Sequence, residues 1–136
     1  MKVNWETFWI RIVEATGETI TMVLGTLVFS SIIGMALGIL LFTTREGNIL
    51  ENRFISALLN FFINIIRPIP FIILLFVLSP VTREVIGTTI GTAAAIFPMT
   101  IAASFVVARV VENNLISIDP GVIEAAEAMG ASPRQI

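Results

Sequence analysis

The side chains that catalyse most enzyme reactions are missing from this chain of 136 residues. It contains no Cys, no His and no Tyr, which excludes thiolate metal sites, histidine general bases and zinc or haem held by histidine. Two groups of the remaining polar residues stand out, one around Arg67 inside a long apolar stretch and one in a polar segment after residue 109. Such groups can line a passage or dock against a partner. We therefore expect neither an enzyme, nor a metal site, nor a cofactor.

The overall composition indicates a membrane protein. Apolar residues make up 56% of the chain and charged residues 13%, whereas a soluble domain carries about 25% charged residues. The 8 basic residues are fewer than the 10 acidic ones, so no cationic surplus is available to neutralise nucleic-acid phosphates. An ordinary soluble globule, a disordered segment and a nucleic-acid binder are therefore all excluded.

Long uncharged runs predict where the chain crosses the membrane. The runs 19–44 and 85–108 contain no charged residue, and each exceeds the roughly 20 residues that span a hydrocarbon core of about 30 Å. They predict spans over about 19–42 and 85–108. A second span is predicted over 54–79, although Arg67 and its neighbouring prolines interrupt it.

The interruption of the middle span has two interpretations. Pro68 and Pro70 lack an N–H group and should break the helix, and irregular backbone at membrane depth is tolerated only inside protein or beside a water-filled cavity. In the first interpretation, Arg67, Pro68 and Pro70 line a translocation pathway. In the second, the segment is re-entrant or interfacial and Arg67 lies at the lipid headgroups.

A second group of pathway candidates lies in the third predicted span. Pro98, Met99, Thr100 and Ser104 could line a passage for an amphipathic amino acid. Alternatively, Pro98 kinks a packed helix, and the hydroxyls of Thr100 and Ser104 bond back to the backbone of their own helix.

Helical spacing predicts two further features. Apolar residues of segment 1–18, including Trp5 and Trp9, fall on one helical face and indicate an interfacial N-terminal helix. Small residues repeat every four positions in two of the spans, which predicts faces where helices pack closely. These sets are Ser30, Gly34 and Gly38 in the first span, and Gly87, Gly91 and Ala95 in the third.

The polar segment near the end contains the clearest local signals. Asp119 followed by Pro120 is typical of a helix start, and Gly130 of a helix end, so a helix is predicted over about 120–129. Ser132, Pro133 and Gln135 then have the pattern of another helix start. Because the sequence stops at Ile136, we expect it to be the N-terminal fragment of a longer protein.

The same segment resembles a known family. Glu124-Ala125-Ala126, followed after three residues by Gly130, resembles the first half of the EAA loop of permeases in bacterial ABC importers. Three earlier blocks resemble the methionine importer permeases of that family, and they occur in the same order: 66–75, 82–91 and 108–113. The second half of the loop pattern would lie beyond Ile136.

The resemblance implies an all-α integral membrane protein. It would have the N-terminal interfacial helix (1–18) and a truncated transmembrane domain (19–136), with three of the five spans of a type I ABC importer permease. Helix 120–129 would be a cytoplasmic coupling helix that contacts a separate ATP-binding subunit, since the only lysine is Lys2 and no phosphate-binding loop exists. The coupling residues would be Glu124, Ala125, Ala126 and Gly130.

The resemblance also implies partners and an orientation. We expect a second permease copy, an extracytoplasmic substrate-binding protein and surrounding membrane lipid, in a bacterial cytoplasmic membrane crossed several times. The substrate would be methionine or a related amino acid. The N-terminus would lie outside, and the distribution of basic residues agrees weakly with this. The inner side would hold Arg45, Arg53, Arg109 and Arg134, and the outer side Lys2, Arg11 and Arg83.

Other functions remain open at this point. A small structural or assembly protein of the membrane would account for the small-residue faces, although not for the polar helix with its start and stop signals. A permease for another amino acid would share all the features above. A passive channel or ion-coupled transporter is disfavoured, because ion coupling normally needs an intramembrane acid or histidine, and the predicted spans contain none.

Overall fold

The described part of the protein is entirely helical. The computed structural model describes residues 5–132 and 135–136, so the predictions for Lys2, Pro133 and Arg134 lie outside the described residues. Within these ranges the regular elements are α1 (Trp5–Thr43), α2 (Arg53–Ile66), α3 (Phe71–Ile86), α4 (Thr92–Ile116) and α5 (Pro120–Ala128). The predicted all-α class is confirmed.

Helix α1 joins two segments that the sequence analysis separated. It runs for 39 residues without a break at residue 18, because no proline or capping signal interrupts it. At 1.5 Å per residue it is about 58 Å long, roughly twice the hydrocarbon thickness of about 30 Å. One end must therefore extend beyond the core of a bilayer. The placement of residues 1–18 at the membrane interface stays a prediction.

The most extensive helix contact joins α1 and α4. Gly34 and Gly38 are buried there, and α4 approaches so closely that a Cβ atom on Gly34 would lie 2.6 Å from Cβ of Val107. A Cβ atom on Gly38 would lie 2.6 Å from Cβ of Val111 and 2.7 Å from the carbonyl oxygen of Ala108. The predicted packing face of Ser30, Gly34 and Gly38 is therefore confirmed, with α4 as its partner.

The same contacts show that α1 and α4 run in parallel. Gly25 lies beside Ile96, Gly34 beside Val107 and Gly38 beside Val111, so residue numbers rise together along both helices. The segment between the two helices, α2 and α3, must carry the chain back to the level where α4 starts. Helices α1 and α4 are each long and apolar enough to cross a membrane, and α2–α3 is a third crossing if the bent pair counts as one span.

The predicted break at Arg67–Pro70 is present and is sharper than a proline kink. Helix α2 ends at Ile66, α3 begins at Phe71, and the two are bent by 116°. Pro70 is the N-cap of α3, and its carbonyl oxygen accepts hydrogen bonds from the N–H groups of Ile73 and Leu74. The return of the chain through this pair favours a broken span over an interfacial segment.

The helix boundaries differ from the predicted limits of the second and third spans, which stay predictions. Helix α3 continues through Pro80 to Ile86 instead of stopping near residue 79, and α4 covers 92–116 instead of 85–108. Gly87 ends α3 in a left-handed conformation with φ 87°, and Gly91 has φ 106°, so both glycines lie in a turn. The predicted small-residue face of Gly87, Gly91 and Ala95 is therefore wrong, because a helical face needs all its members in one helix.

Candidate functional site

Helix α5 lies beside the ends of α1 and α4. Residues 117–119 connect it to α4, and the hydroxyl of Ser117 donates to the carbonyl oxygen of Asn114 at 2.6 Å. A mainly apolar cavity of about 560 Å³ separates α5 from the helix ends, and Phe42, Leu115 and Ile123 line it. Ile123 and Ala126 are half-buried towards this cavity, which leaves the other side of α5 exposed.

Both ends of α5 are capped by its own residues. The side chain of Asp119 accepts a hydrogen bond from the N–H of Gly121 at 2.9 Å. At the other end the N–H of Gly130 donates to the carbonyl oxygen of Glu127 (2.9 Å), and that of Ala131 donates to Ala126 (3.0 Å). This is the Schellman arrangement, which requires a left-handed residue, and Gly130 has φ 84°. The predicted helix is thus confirmed, except that Met129 is its C-cap residue.

Several side chains of α5 are exposed. Glu124 and Ala125 are exposed, and so are the apolar side chains of Met129 (83%) and of Val122 (62%), although Val122 also lines the apolar cavity. Val122 and Met129 are seven residues apart and therefore share a helical face. The four predicted coupling residues thus lie on or beside one short helix: Glu124, Ala125, Ala126 and Gly130.

Replacing Gly130 tests the importance of the Schellman cap. We expect Gly130→Ala to destabilise the last turn of α5 by about 1 kcal/mol, because a Cβ atom is unfavourable in the left-handed region. Hydrogen–deuterium exchange of segment 120–131 should become about fivefold faster by local opening. Gly130→Asn should exchange more slowly than Gly130→Ala, because Asn tolerates this conformation. Equal exchange in the wild type and Gly130→Ala would contradict this account of the cap.

The predicted pathway residues do not form one site. Arg67, Pro68 and Pro70 are exposed at the α2–α3 break, whereas Pro98 lines a cavity of about 280 Å³ with residues of α3 such as Leu75 and Thr82. Among the described residues that line this cavity, none comes from the Arg67–Pro70 break.

The remaining candidates fit helix packing better than a passage. Ser104 is buried and donates from its hydroxyl to the carbonyl oxygen of Thr100 at 2.7 Å, and its own carbonyl oxygen faces Gly34. Met99 is half-buried. The hydroxyl of Thr100 is buried and has no hydrogen-bond partner in the described part of the chain. The alternative interpretation, in which Ser104 bonds back to its own helix, is therefore correct for that residue.

A polar cluster between α2 and α4 was not singled out from the sequence. Arg109 donates to Glu112 on the same helix at 2.5 Å, and to the side-chain oxygens of Asn60 (3.1 Å) and Asn64 (3.0 Å) on α2. The signal that could have found it is a pair of amides one helical turn apart in an otherwise apolar helix. These four residues are called the Arg109 cluster below.

Basic residues collect at the same end of the bundle as α5. Arg45, Arg53 and Arg109 line one cavity of about 650 Å³ together with Glu46 and Glu112. Arg53 pairs with Glu46 at 2.6 Å, but both side chains are largely exposed, and such surface pairs contribute little stability. The described basic residues that were predicted for the inner side therefore lie together at one end.

Comparison with known proteins identifies the family. Residues 34–136 match the family described as binding-protein-dependent transport system inner membrane component. The D-methionine transport system permease protein MetI of Salmonella typhi is 46% identical over 125 residues, which is 92% of this chain. The protein of the same name from Escherichia coli K12 is 45% identical over the same length, and the probable one from Pasteurella multocida 46% identical over 128 residues.

A solved structure gives the same result. A chain of the MetNI methionine ABC transporter in an inward-facing conformation superposes on the whole of this chain with a TM-score of 0.86 and 40% sequence identity. The present chain covers 62% of that chain, and 58% of the Salmonella typhi relative.

These matches agree with the apolar helices. The family is a non-catalytic, multi-pass component of the bacterial inner membrane. From its sequence, its helices and its similarity to these proteins, the chain belongs to the binding-protein-dependent transport system inner membrane components.

Proposed function

We propose that this chain is part of the permease of an ATP-driven importer for methionine or a closely related amino acid. The observation that carries the proposal is the capped, exposed helix α5 at the end of the bundle where the basic residues collect. It has support from the relatives, which are named D-methionine transport permeases, and from the similarity to the MetNI transporter.

In this proposal, α5 is the coupling helix that docks on a separate ATP-binding subunit. A short amphipathic helix can seat its apolar residues in a groove of a partner, and the apolar side chains of Val122 and Met129 are exposed. Glu124 is exposed on the opposite side of α5 and can pair with a basic group of the partner at the edge of that groove. Because both ends of α5 are capped, it can move as a rigid unit when the ATPase closes.

The same proposal sets the orientation and the other partners. The end that holds α5, Arg45, Arg53 and Arg109 lies in the cytoplasm, in agreement with the excess of basic residues there. Because α1 runs towards this end, the N-terminus of α1 lies outside, where a substrate-binding protein delivers the amino acid. A second copy of the permease completes the translocation pathway, to which the Arg67–Pro70 break and the α3–α4 cavity beside Pro98 contribute.

Reconstituted transport tests this function. The full-length permease, assembled with its ATPase and binding protein in liposomes, should accumulate labelled methionine only when ATP is present on the ATPase side. An excess of unlabelled methionine should block accumulation, whereas an equal excess of aspartate should not. Labelled methionine that equilibrates without ATP would indicate a passive channel, and no accumulation of methionine would refute the proposed substrate.

A further inference from the structure

The described helices differ greatly in how firmly they hold one another. Helices α1 and α4 are in close contact along the Gly34–Gly38 face, whereas α2 has much less surface against either of them. Among the described residues, the fully buried apolar residue of α2 is Ile63, which packs with Leu41 of α1 and Ala108 of α4, and the half-buried Leu59 of α2 packs against the same cluster. Apolar contacts of this kind are not directional, so they allow α2 to shift or rotate relative to the α1–α4 pair.

The Arg109 cluster supplies the directional contact that the apolar cluster lacks. One guanidinium nitrogen of Arg109 binds Glu112, and another binds both Asn60 and Asn64. Hydrogen bonds from a charged donor are about twice as strong as neutral ones. The Arg109 side chain is only 19% exposed and that of Glu112 only 6%, which limits the competition of water for this ion pair, whereas Asn64 is exposed.

The position of the acceptor side chains on α2 suits this interaction. The amide nitrogen of Asn60 donates to the carbonyl oxygen of Ser56 at 2.9 Å, which turns its oxygen towards Arg109. Asn64 lies one turn further along α2, and the helix ends two residues later at Ile66, directly before the break. The cluster therefore holds the part of α2 that leads into the Arg67–Pro70 break.

The other side of the cluster leads to α5. Arg109 and Glu112 lie within the last two turns of α4, which ends at Ile116 and reaches α5 through residues 117–119. Glu112 fixes Arg109 to α4 itself. A displacement of α5 therefore acts first on the end of α4 that carries the guanidinium.

We propose that Arg109 is a positioning residue that clamps α2 to the α4–α5 unit, so that a displacement of α5 reaches the Arg67–Pro70 break. This inference rests on the proposed function of α5. Without the clamp, α5 and α4 still respond to the ATPase, but α2 no longer follows them in register. ATP hydrolysis then continues with less substrate moved.

The test removes the acceptors on α2 and leaves the Arg109–Glu112 pair intact. In the full-length permease with its partners, the double variant Asn60→Leu/Asn64→Leu should lower the methionine transported per ATP hydrolysed by about tenfold, a usual size for a lost coupling contact. Asn60→Asp, alone, keeps an acceptor oxygen and should retain coupling. Asn114→Leu is the matched control, because among the described residues that exposed amide bonds only within its own helix, to Val110.

A distance measurement separates a clamp from a general loss of stability. Residues 1–136 contain no Cys, so once any cysteines elsewhere in the full-length complex are replaced, spin labels can be placed at Phe61→Cys on α2 and Val110→Cys on α4, both exposed positions. In the wild-type background the label distance should stay narrow with and without trapped ATP, and in the double variant it should broaden on ATP trapping.

Unchanged coupling or an unchanged narrow distance in the double variant would overturn the clamp, as would equal uncoupling by Asn114→Leu. A wild-type protein without ATP-driven methionine uptake would refute the proposed function instead. The distance measurement would still decide in that case whether the Arg109 cluster holds α2 in register.

Discussion

The variant Glu124→Lys is expected to abolish ATP-driven uptake while the permease still folds and reaches the membrane. Glu124 is exposed in the middle of α5, so reversing its charge breaks no internal contact among the described residues. On the proposed ATPase surface the same change replaces an attraction by a repulsion. Loss of one partner of a docked charge pair costs about 2 kcal/mol or more, which is roughly a 30-fold loss of affinity.

The measurements should separate docking from folding. Uptake of labelled methionine and co-purification of the ATPase should both fall for Glu124→Lys, while the amount of permease in the membrane stays constant. Glu84→Lys is the matched control, because it reverses an exposed charge in the last turns of α3, away from α5. Normal uptake by Glu124→Lys would refute the coupling role of this residue, and equal loss by Glu84→Lys would indicate a non-specific effect of charge.

The second large effect is expected from Gly38→Leu, which should remove folded permease from the membrane. A Cβ atom at this position already lies 2.7 Å from a backbone oxygen of α4, as well as 2.6 Å from Val111. Backbone cannot move aside as a side chain can, so truncating Val111 does not make room. The two helices must separate, and we expect a cost of about 3 kcal/mol, at the upper end for overpacked sites.

Other glycines of α1 provide a graded control. Gly17 has nothing within 4 Å of an added Cβ atom, and Gly25 meets only the flexible end of Ile96 at 3.1 Å. We therefore expect Gly17→Leu to leave the permease level unchanged, Gly25→Leu to lower it slightly, and Gly34→Leu to resemble Gly38→Leu. Thermal unfolding of the detergent-solubilised permease measures this order. Equal melting temperatures for Gly17→Leu and Gly38→Leu would contradict a close α1–α4 contact.

Gly38→Leu and Glu124→Lys affect two different requirements for transport, the packing of the permease and its docking on the ATPase. The α1–α4 contact makes a firm pair from two long helices, and α5 follows the end of α4 after residues 117–119. Gly38→Leu is expected to destroy the pair itself. Glu124→Lys should leave the α1–α4 pair intact and remove only the docking of α5 on the ATPase. The two variants should therefore differ in permease level, although both lose uptake.

The sequence alone determined the features that depend on a few neighbouring residues. Asp119, Pro120 and Gly130 predicted α5 to within one residue, because caps act through hydrogen bonds and backbone conformation inside a single turn. Pro68 and Pro70 predicted the break for the same local reason. Scarcity of charge predicted the membrane class, since the cost of burying charges in lipid does not depend on the fold.

Only the tertiary structure decided which surfaces meet. The face of Ser30, Gly34 and Gly38 was visible in the sequence, but its partner on α4 lies about 70 residues away and was identified only by the register of the two helices. The predicted third span starts at residue 85, because that is where the uncharged run begins, whereas α4 starts at Thr92. The helix boundary depends instead on the left-handed Gly87 and on Gly91. The sequence shows the two halves of the Arg109 cluster, Asn60 with Asn64 and Arg109 with Glu112, at helical spacing, but only the packing of α2 against α4 shows that the halves meet.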